Sequence, residues 1–220
     1  MEDVTEGPLF YLFGLEVNRI TVSTWCIMGF LTLLCLVLGR GLRLHPKGRR
    51  QIAVELIVDS LLGLLGSVIG SKKIARRYFP VLGSLFIIIL ISNYSGFIPG
   101  FKAPTSAWSY TLGLGLTVFV LTYIIGYRHH RLGYLKHYVK PMAIMIPLII
   151  MEEIVRPLSL SLRLYGNIYG GETTVKSVSE ISALILPIPF MCLELLFGFL
   201  QALVFTLLTA TYLAGAFEGE

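Results

Sequence analysis

The stretch Ile181–Phe217, ISALILPIPFMCLELLFGFLQALVFTLLTATYLAGAF, carries a single charge, Glu194. The hydrocarbon core of a bilayer is about 30 Å thick and takes roughly 20 apolar residues of helix to cross. This run is long enough to do so. The rest of the chain agrees with it: of 220 residues 55% are hydrophobic and 14% charged, and mean hydropathy is +0.77. Soluble domains carry roughly 25% charged residues, and a soluble fold of this size still exposes roughly a quarter to a third of its chain. So much apolar surface requires lipid as the solvent.

Working back toward the N-terminus, further apolar runs appear. Ile20–Leu38 has no charge. Tyr78–Phe101 is broken near Asn93-Tyr-Ser-Gly and Pro99-Gly, and Ala103–Tyr127 follows it. A longer segment begins at Met142 and continues, with charges, to about Lys176. The expected fold is an all-α polytopic membrane protein in one domain. Five transmembrane helices are expected at 20–38, 78–99, 105–127, 141–176 and 180–215, with residues 1–19 outside. Gln51–Gly70 is apolar enough to consider as a span, but basic clusters flank both ends, and Glu55 and Asp59 share a helical face. It reads as a helix or hairpin in the cytoplasmic interface, or else as a weakly apolar sixth span.

Orientation follows from the basic residues near span ends. Arg40, Arg43, Lys47, Arg49 and Arg50 follow the first run; Lys72, Lys73, Arg76 and Arg77 precede the second; Arg128, Arg131, Lys136 and Lys140 follow the third. These thirteen of eighteen Lys and Arg residues fall on one side if the N-terminus is outside. The loop around Lys102 then faces out, and five spans put the C-terminus inside. The net charge of +5 is therefore read as membrane orientation and not as a nucleic-acid surface, which would gather its bases on one polar face.

Other chemistries find no support. Cys26, Cys35 and Cys192 lie singly in apolar runs, without metal-ligand spacing. There is no GxxxxGK[ST] loop, HExxH or GxSxG, and no cofactor or metal is expected. Glu2, Asp3, Glu6 and Glu16 open the chain without a basic start, unlike a cleaved signal peptide.

The segment Met142–Lys176 holds Glu152, Glu153, Arg156, Arg163 and Glu172, although an ionised residue at the bilayer centre costs about 2.5–3.5 kcal/mol on insertion scales. Such groups normally face a water-filled path or a partner. Glu152 and Arg156 are four apart, in the favourable acid-before-base order, and Arg156 with Glu152 or Glu153 can simply form a neutralising pair. Arg163 has no acid three or four residues away, and Asn167 follows it by four. Either its counter-charge comes from another chain, or it snorkels to a helix end. Glu172 lies nine residues beyond Arg163, about 13 Å along a helix and half a turn round. In the last run Glu194 and Gln201 are seven apart and share a face, to which Tyr212 nearly returns. That stripe is either the wall of a hydrated ion path or, for Glu194, one buried acid bonded to its neighbours.

Pro157-Leu-Ser-Leu-Ser-Leu-Arg-Leu-Tyr-Gly-Asn-Ile-Tyr-Gly-Gly-Glu172 closely resembles the signature of the F-type ATP synthase a subunit, an LRLxGN core followed by a glutamate. Gln201–Leu213 resembles that family's last-helix signature. The match is specific over about 141–213, and the first half agrees by layout. By position, Arg163 matches the family's essential arginine, Asn167 the motif asparagine and Gln201 the last-helix glutamine. Glu172 and Glu194 occupy positions where members place polar pairs such as glutamate with histidine; here both are acids.

The resemblance implies a last helix pair that is long, tilted and set as a hairpin against a ring of c subunits, each with a membrane carboxylate. It also implies two offset half-channels for H+ or Na+, lined by Asn167, Glu172, Glu194 and Gln201 on the outer side and separated by Arg163. Glu152, Glu153, Arg156 and Tyr212 are secondary polar candidates. The implied partners are the c-ring, b-type peripheral stalk subunits and the rest of the complex, with ATP made on the soluble head and not by this chain. The expected location is a bacterial plasma membrane. The competing reading is a stand-alone channel or secondary transporter, whose usual inverted repeats or paired broken helices are not evident. A purely structural anchor is hard to reconcile with five charges in one segment.

Overall fold

The computed structural model describes residues 10–12, 15–39, 49–98, 101–130, 146–182 and 185–215. Of the basic residues counted for orientation, Arg40, Arg43, Lys47, Arg131, Lys136 and Lys140 lie outside the described residues, as do the expected segments at 1–9 and 141–145. Within the N-terminal segment a short antiparallel pair forms, β1 Phe10–Leu12 with β2 Leu15–Val17, in the register Phe10↔Val17 and Leu12↔Leu15. The remainder is helical: α1 Arg19–Gly39, α2 Arg49–Ile69, α3 Lys72–Tyr94, α4 Trp108–His130, α5 Ile146–Ile181 and α6 Pro187–Gly215. Single 3-10 turns, Ser95–Phe97 and Pro104–Ser106, join α3 to α4.

Four described segments are long and apolar enough to cross a membrane: Arg19–Val37, Lys72–Phe97, Trp108–Gly126 and Pro187–Gly215. The fifth expected span corresponds to α5. It is helical for 36 residues, about 54 Å at 1.5 Å per residue, but its charges keep it from qualifying on apolarity. α2 is one continuous helix, so the hairpin alternative for 51–70 is set aside.

Helix ends depart from the apolar runs for local reasons. α3 begins at Lys72, six residues before Tyr78, because Lys and Arg are good helix formers and apolarity marks contact with lipid, not backbone hydrogen bonding. Gly70, at φ +74°, supplies the left-handed turn that ends α2 and sets α3 against it. α6 starts at Pro187 and not near 180. A proline disfavours helix in the residue before it and suits a helix's first position, where its missing N–H costs nothing.

The helices pack along stripes read at i, i+4. Leu61, Leu65 and Ile69 of α2 meet Ala75, Leu82, Phe86 and Ile89 of α3, while Leu160, Leu164 and Ile168 line the inner side of α5. α6 turns Ala202, Phe205, Thr206, Thr209, Ala210 and Ala214 inward. Small side chains of this kind let membrane helices approach closely. The Thr206 and Thr209 hydroxyls donate to the carbonyls of Ala202 and Phe205, both at 2.8 Å, so burying them leaves no donor unpaired.

Two polar clamps fix the bundle. Asn93 Nδ2 of α3 donates to Gly198 O of α6 at 2.8 Å, and a Cβ at position 198 would crowd Tyr94 and Asn93 at 3.3 and 3.4 Å. The Ser161 hydroxyl of α5 shares its one proton between Thr111 O of α4 at 3.0 Å and Pro157 O at 2.7 Å. The outer surface stays apolar: Leu33, Leu56, Leu162, Ile185 and Leu196 are all exposed. In water each would forfeit about 1.5–3 kcal/mol of burial; against lipid tails nothing is lost.

Candidate functional site

The polar groups singled out in the sequence gather where α5 and α6 face each other. Asn167 Nδ2 donates to Gln201 Oε1 at 2.9 Å, joining the two helices across 34 residues of chain. Gln201 is buried, and among the described residues its Nε2 has no hydrogen-bond partner. A buried amide N–H without an acceptor costs about 1–3 kcal/mol.

Glu194 lies two turns before Gln201 on α6, about 10 Å along the axis. It faces Gly171 of α5, where an added Cβ would stand 3.1 Å from Glu194 Cγ and 3.2 Å from Cδ. The glycine makes room for the carboxyl. Glu172, next along α5, turns toward the α3–α4 connection, with Oε1 at 3.3 Å from the position of a Cβ on Gly96. Two clefts meet at Glu194. One, of about 450 Å³, runs along the seam past Asn167, Gly170, Gly171 and Thr174. The other, of about 410 Å³, opens beside Arg19, Lys102, Glu172 and Lys176. The carboxyl of Glu194 is the charged group common to both linings.

Arg163 sits one turn before Asn167, on the exposed side of α5, while its neighbours Leu160 and Leu164 are buried. Among the described residues it forms no ion pair. Tyr165 stacks on Tyr169 at 5.2 Å and meets Trp108 of α4 edge-on at 5.9 Å, fixing the rotation of α5 about its axis near Arg163.

The secondary candidates form a separate cluster. Arg156 holds Glu152 at 2.7 Å and Glu153 at 2.9 Å, and its guanidinium lies 5.1 Å from the centre of the Tyr212 ring. This is the neutralising pair read from the spacing, enlarged by a cation–π contact. Tyr212 therefore ends the α6 stripe on Arg156 and its two acids, apart from Glu172 and Glu194. Arg19, Lys102 and Lys176 were not singled out as site residues. Lys102 had a signal, as the lone base in the loop assigned to the outside; Arg19 and Lys176 come from distant parts of the chain and share this opening only in the folded bundle.

An apolar helical bundle that encloses a line of amide and carboxyl groups between its two longest-reaching helices is a polytopic membrane protein with a polar seam. Comparison with known proteins narrows the class. The sequence profile of the family described as "ATP synthase A chain" matches residues 21–214. The "ATP synthase subunit a" of Moorella thermoacetica is 40% identical over 100% of both chains. The "ATP synthase subunit a 2" of a Bradyrhizobium species is 40% identical over 97% of this chain and 95% of its own, and "ATP synthase subunit a 1" of Syntrophotalea carbinolica is 42% identical over 88% and 83%. The chain belongs to the ATP synthase A chain family.

Proposed function

We propose that this chain is the ion-conducting stator subunit of a rotary F-type ATP synthase, carrying H+ or Na+ to and from the carboxylates of a c-ring. The observation that carries the proposal is Arg163: an arginine within a membrane helix, exposed on the protein surface, with no ion pair among the described residues. A charge so placed needs a counter-charge from a neighbouring chain, and a ring carboxylate supplies one.

Glu172 and Glu194, beside the opening lined by Lys102, form the outer half-channel, which continues along the seam to Asn167 and Gln201. Gln201 is tied to that path through its hydrogen bond with Asn167. Arg163 stands at its inner end and separates it from the inner half-channel. Two unit charges 4 Å apart attract by about 4 kcal/mol at an effective dielectric near 20, enough to strip an ion from the arriving carboxylate and to hold it until the ring turns. Each ion crossing 100 mV delivers about 2.3 kcal/mol. Nucleotide chemistry belongs to the soluble head, reached through b-type stalk subunits. α5 crosses the membrane at a tilt as the fifth span, α2 lies in the cytoplasmic interface, and the chain resides in a bacterial plasma membrane with its N-terminus outside.

The test is Arg163→Ala in the assembled complex reconstituted in vesicles. ATP-driven ion pumping is expected to vanish while the subunits still co-purify. Pumping at the wild-type rate would remove Arg163 as the stator charge, and the proposal with it.

A further inference from the structure

Arg156 and Arg163 are seven residues apart on α5. Seven steps of 100° bring the helix to within about 20° of two full turns, so both residues spring from one face of the helix, about 10 Å apart along the axis, although the Arg156 guanidinium leans over Tyr212 of α6. The same spacing, extended by four residues, puts Glu152 on that face. On the reading above this is the face that meets the rotor. An arriving carboxylate would then find two cationic sites and not one, and the second would compete with the first.

The two arginines differ in what surrounds them. Arg163 is exposed without an ion pair among the described residues, while Arg156 is bridged to Glu152 and Glu153 and covered by Tyr212. Glu153 is the better buried of the two acids, with 13% of its side chain exposed, and Glu152 is the outer one at 61%. One base against two acids leaves this cluster with no positive charge to offer. We infer that Glu152 and Glu153 silence Arg156, so that Arg163 is, among the described residues, the only cationic docking point for the rotor carboxylate on this face; the inference rests on the proposed stator role. Arg156 is then a positioning residue that joins α5 to Tyr212 of α6, and the acids set the charge contrast along the helix.

The consequence is specific. Removing the acids should create a second electrostatic trap where none existed, and removing Arg156 as well should abolish it. A unit charge exposed about 10 Å from the docking point perturbs the rotor energy enough to slow turnover about tenfold at an effective dielectric near 20.

The experiment uses the complete ATP synthase in vesicles, measuring ATP-driven pumping and confirming assembly by co-purification. The Glu152→Gln, Glu153→Gln double variant is expected to pump about tenfold more slowly. Adding Arg156→Gln is expected to bring the rate back to within about twofold of wild type, with co-purification equal in all the variants, whereas loss of a merely structural ion pair would lower assembly in the double variant along with its rate. Glu152→Lys alone, at the exposed position and with the buried Glu153 kept, is the milder variant; it leaves the cluster one net positive charge, should slow pumping a few-fold and should be relieved in the same way by Arg156→Gln. A double variant at the wild-type rate, or a triple variant as slow as the double, would overturn the inference. So would failure of Arg156→Gln to relieve Glu152→Lys, should the double variant not assemble. Arg163→Ala, run alongside, keeps the two readings apart. If it still pumps, the stator role itself falls; if it is inactive and rescue fails, only the silencing of Arg156 is lost.

Discussion

Gly115→Ala tests how closely α4 and α5 approach beside the motif helix. A Cβ built at Gly115 would lie 2.8 Å from the backbone oxygen of Pro157 and would also run into Ser161 Oγ. Ordinary van der Waals contact begins at 3.4 Å, so the helices must part by about 0.6 Å (3.4 minus 2.8) or tilt. The proline carbonyl cannot swing aside as a flexible side chain would. Overpacking of this kind costs about 1–3 kcal/mol, while exchanging glycine for alanine in a helix returns about 1 kcal/mol. If Ser161 rotates away it also gives up its bond to Thr111 O, worth about 0.6 kcal/mol in a membrane protein.

Gly113, in the same helix, isolates the packing term: a Cβ there meets nothing within 4 Å, so Gly113→Ala carries the helix-propensity gain alone. The difference in unfolding free energy between the two variants is therefore expected to be about 1–3 kcal/mol, with Gly115→Ala the less stable. Unfolding in mixed micelles can be followed by tryptophan fluorescence, because Trp108 lies 5.9 Å from the Tyr165 ring across the α4–α5 interface; Trp25→Phe leaves Trp108 as the only reporter. Equal stability of the two alanine variants would refute the close approach of α4 to Pro157.

Arg163→Lys keeps a charge but loses the planar fork, and a buried lysine can release its proton where arginine does not; coupled ATP synthesis is expected to fail, and synthesis at the wild-type rate would show that a point charge suffices. In a background lacking Cys26, Cys35 and Cys192, Gln201→Cys should be inhibited by a small thiol reagent added outside, whereas Leu200→Cys, on the exposed side of α6, should be much less affected; equal inhibition would remove the outer half-channel. Lys102→Cys should be labelled from outside and Lys72→Cys from the cytoplasm, and labelling of position 102 only from the cytoplasm would invert the topology.

The membrane character of this chain, its helical runs and the identity of its polar residues were determined by sequence alone, because each is a property of one segment. An apolar stretch must meet lipid wherever it packs, and residues seven apart share a helix face whatever lies opposite. The spacing of Glu152 and Arg156 likewise contained their ion pair. Helix limits were less legible. Hydropathy does not register that Lys72–Arg77 keep helical hydrogen bonds outside the apolar run, or that Pro187 resets the start of α6.

What only the tertiary structure decided is the rotation and offset of one helix against another. Periodicity places Asn167 on a face of α5 and Gln201 on a face of α6, but not both at 2.9 Å from each other. That meeting depends on Gly171 yielding space to Glu194 and on the small residues of α6 letting the helices close. The same offset sends Tyr212 to Arg156 and away from Glu172 and Glu194. Such contacts follow from how side-chain volumes interlock across an interface, a property of two surfaces together that neither strand of sequence holds by itself.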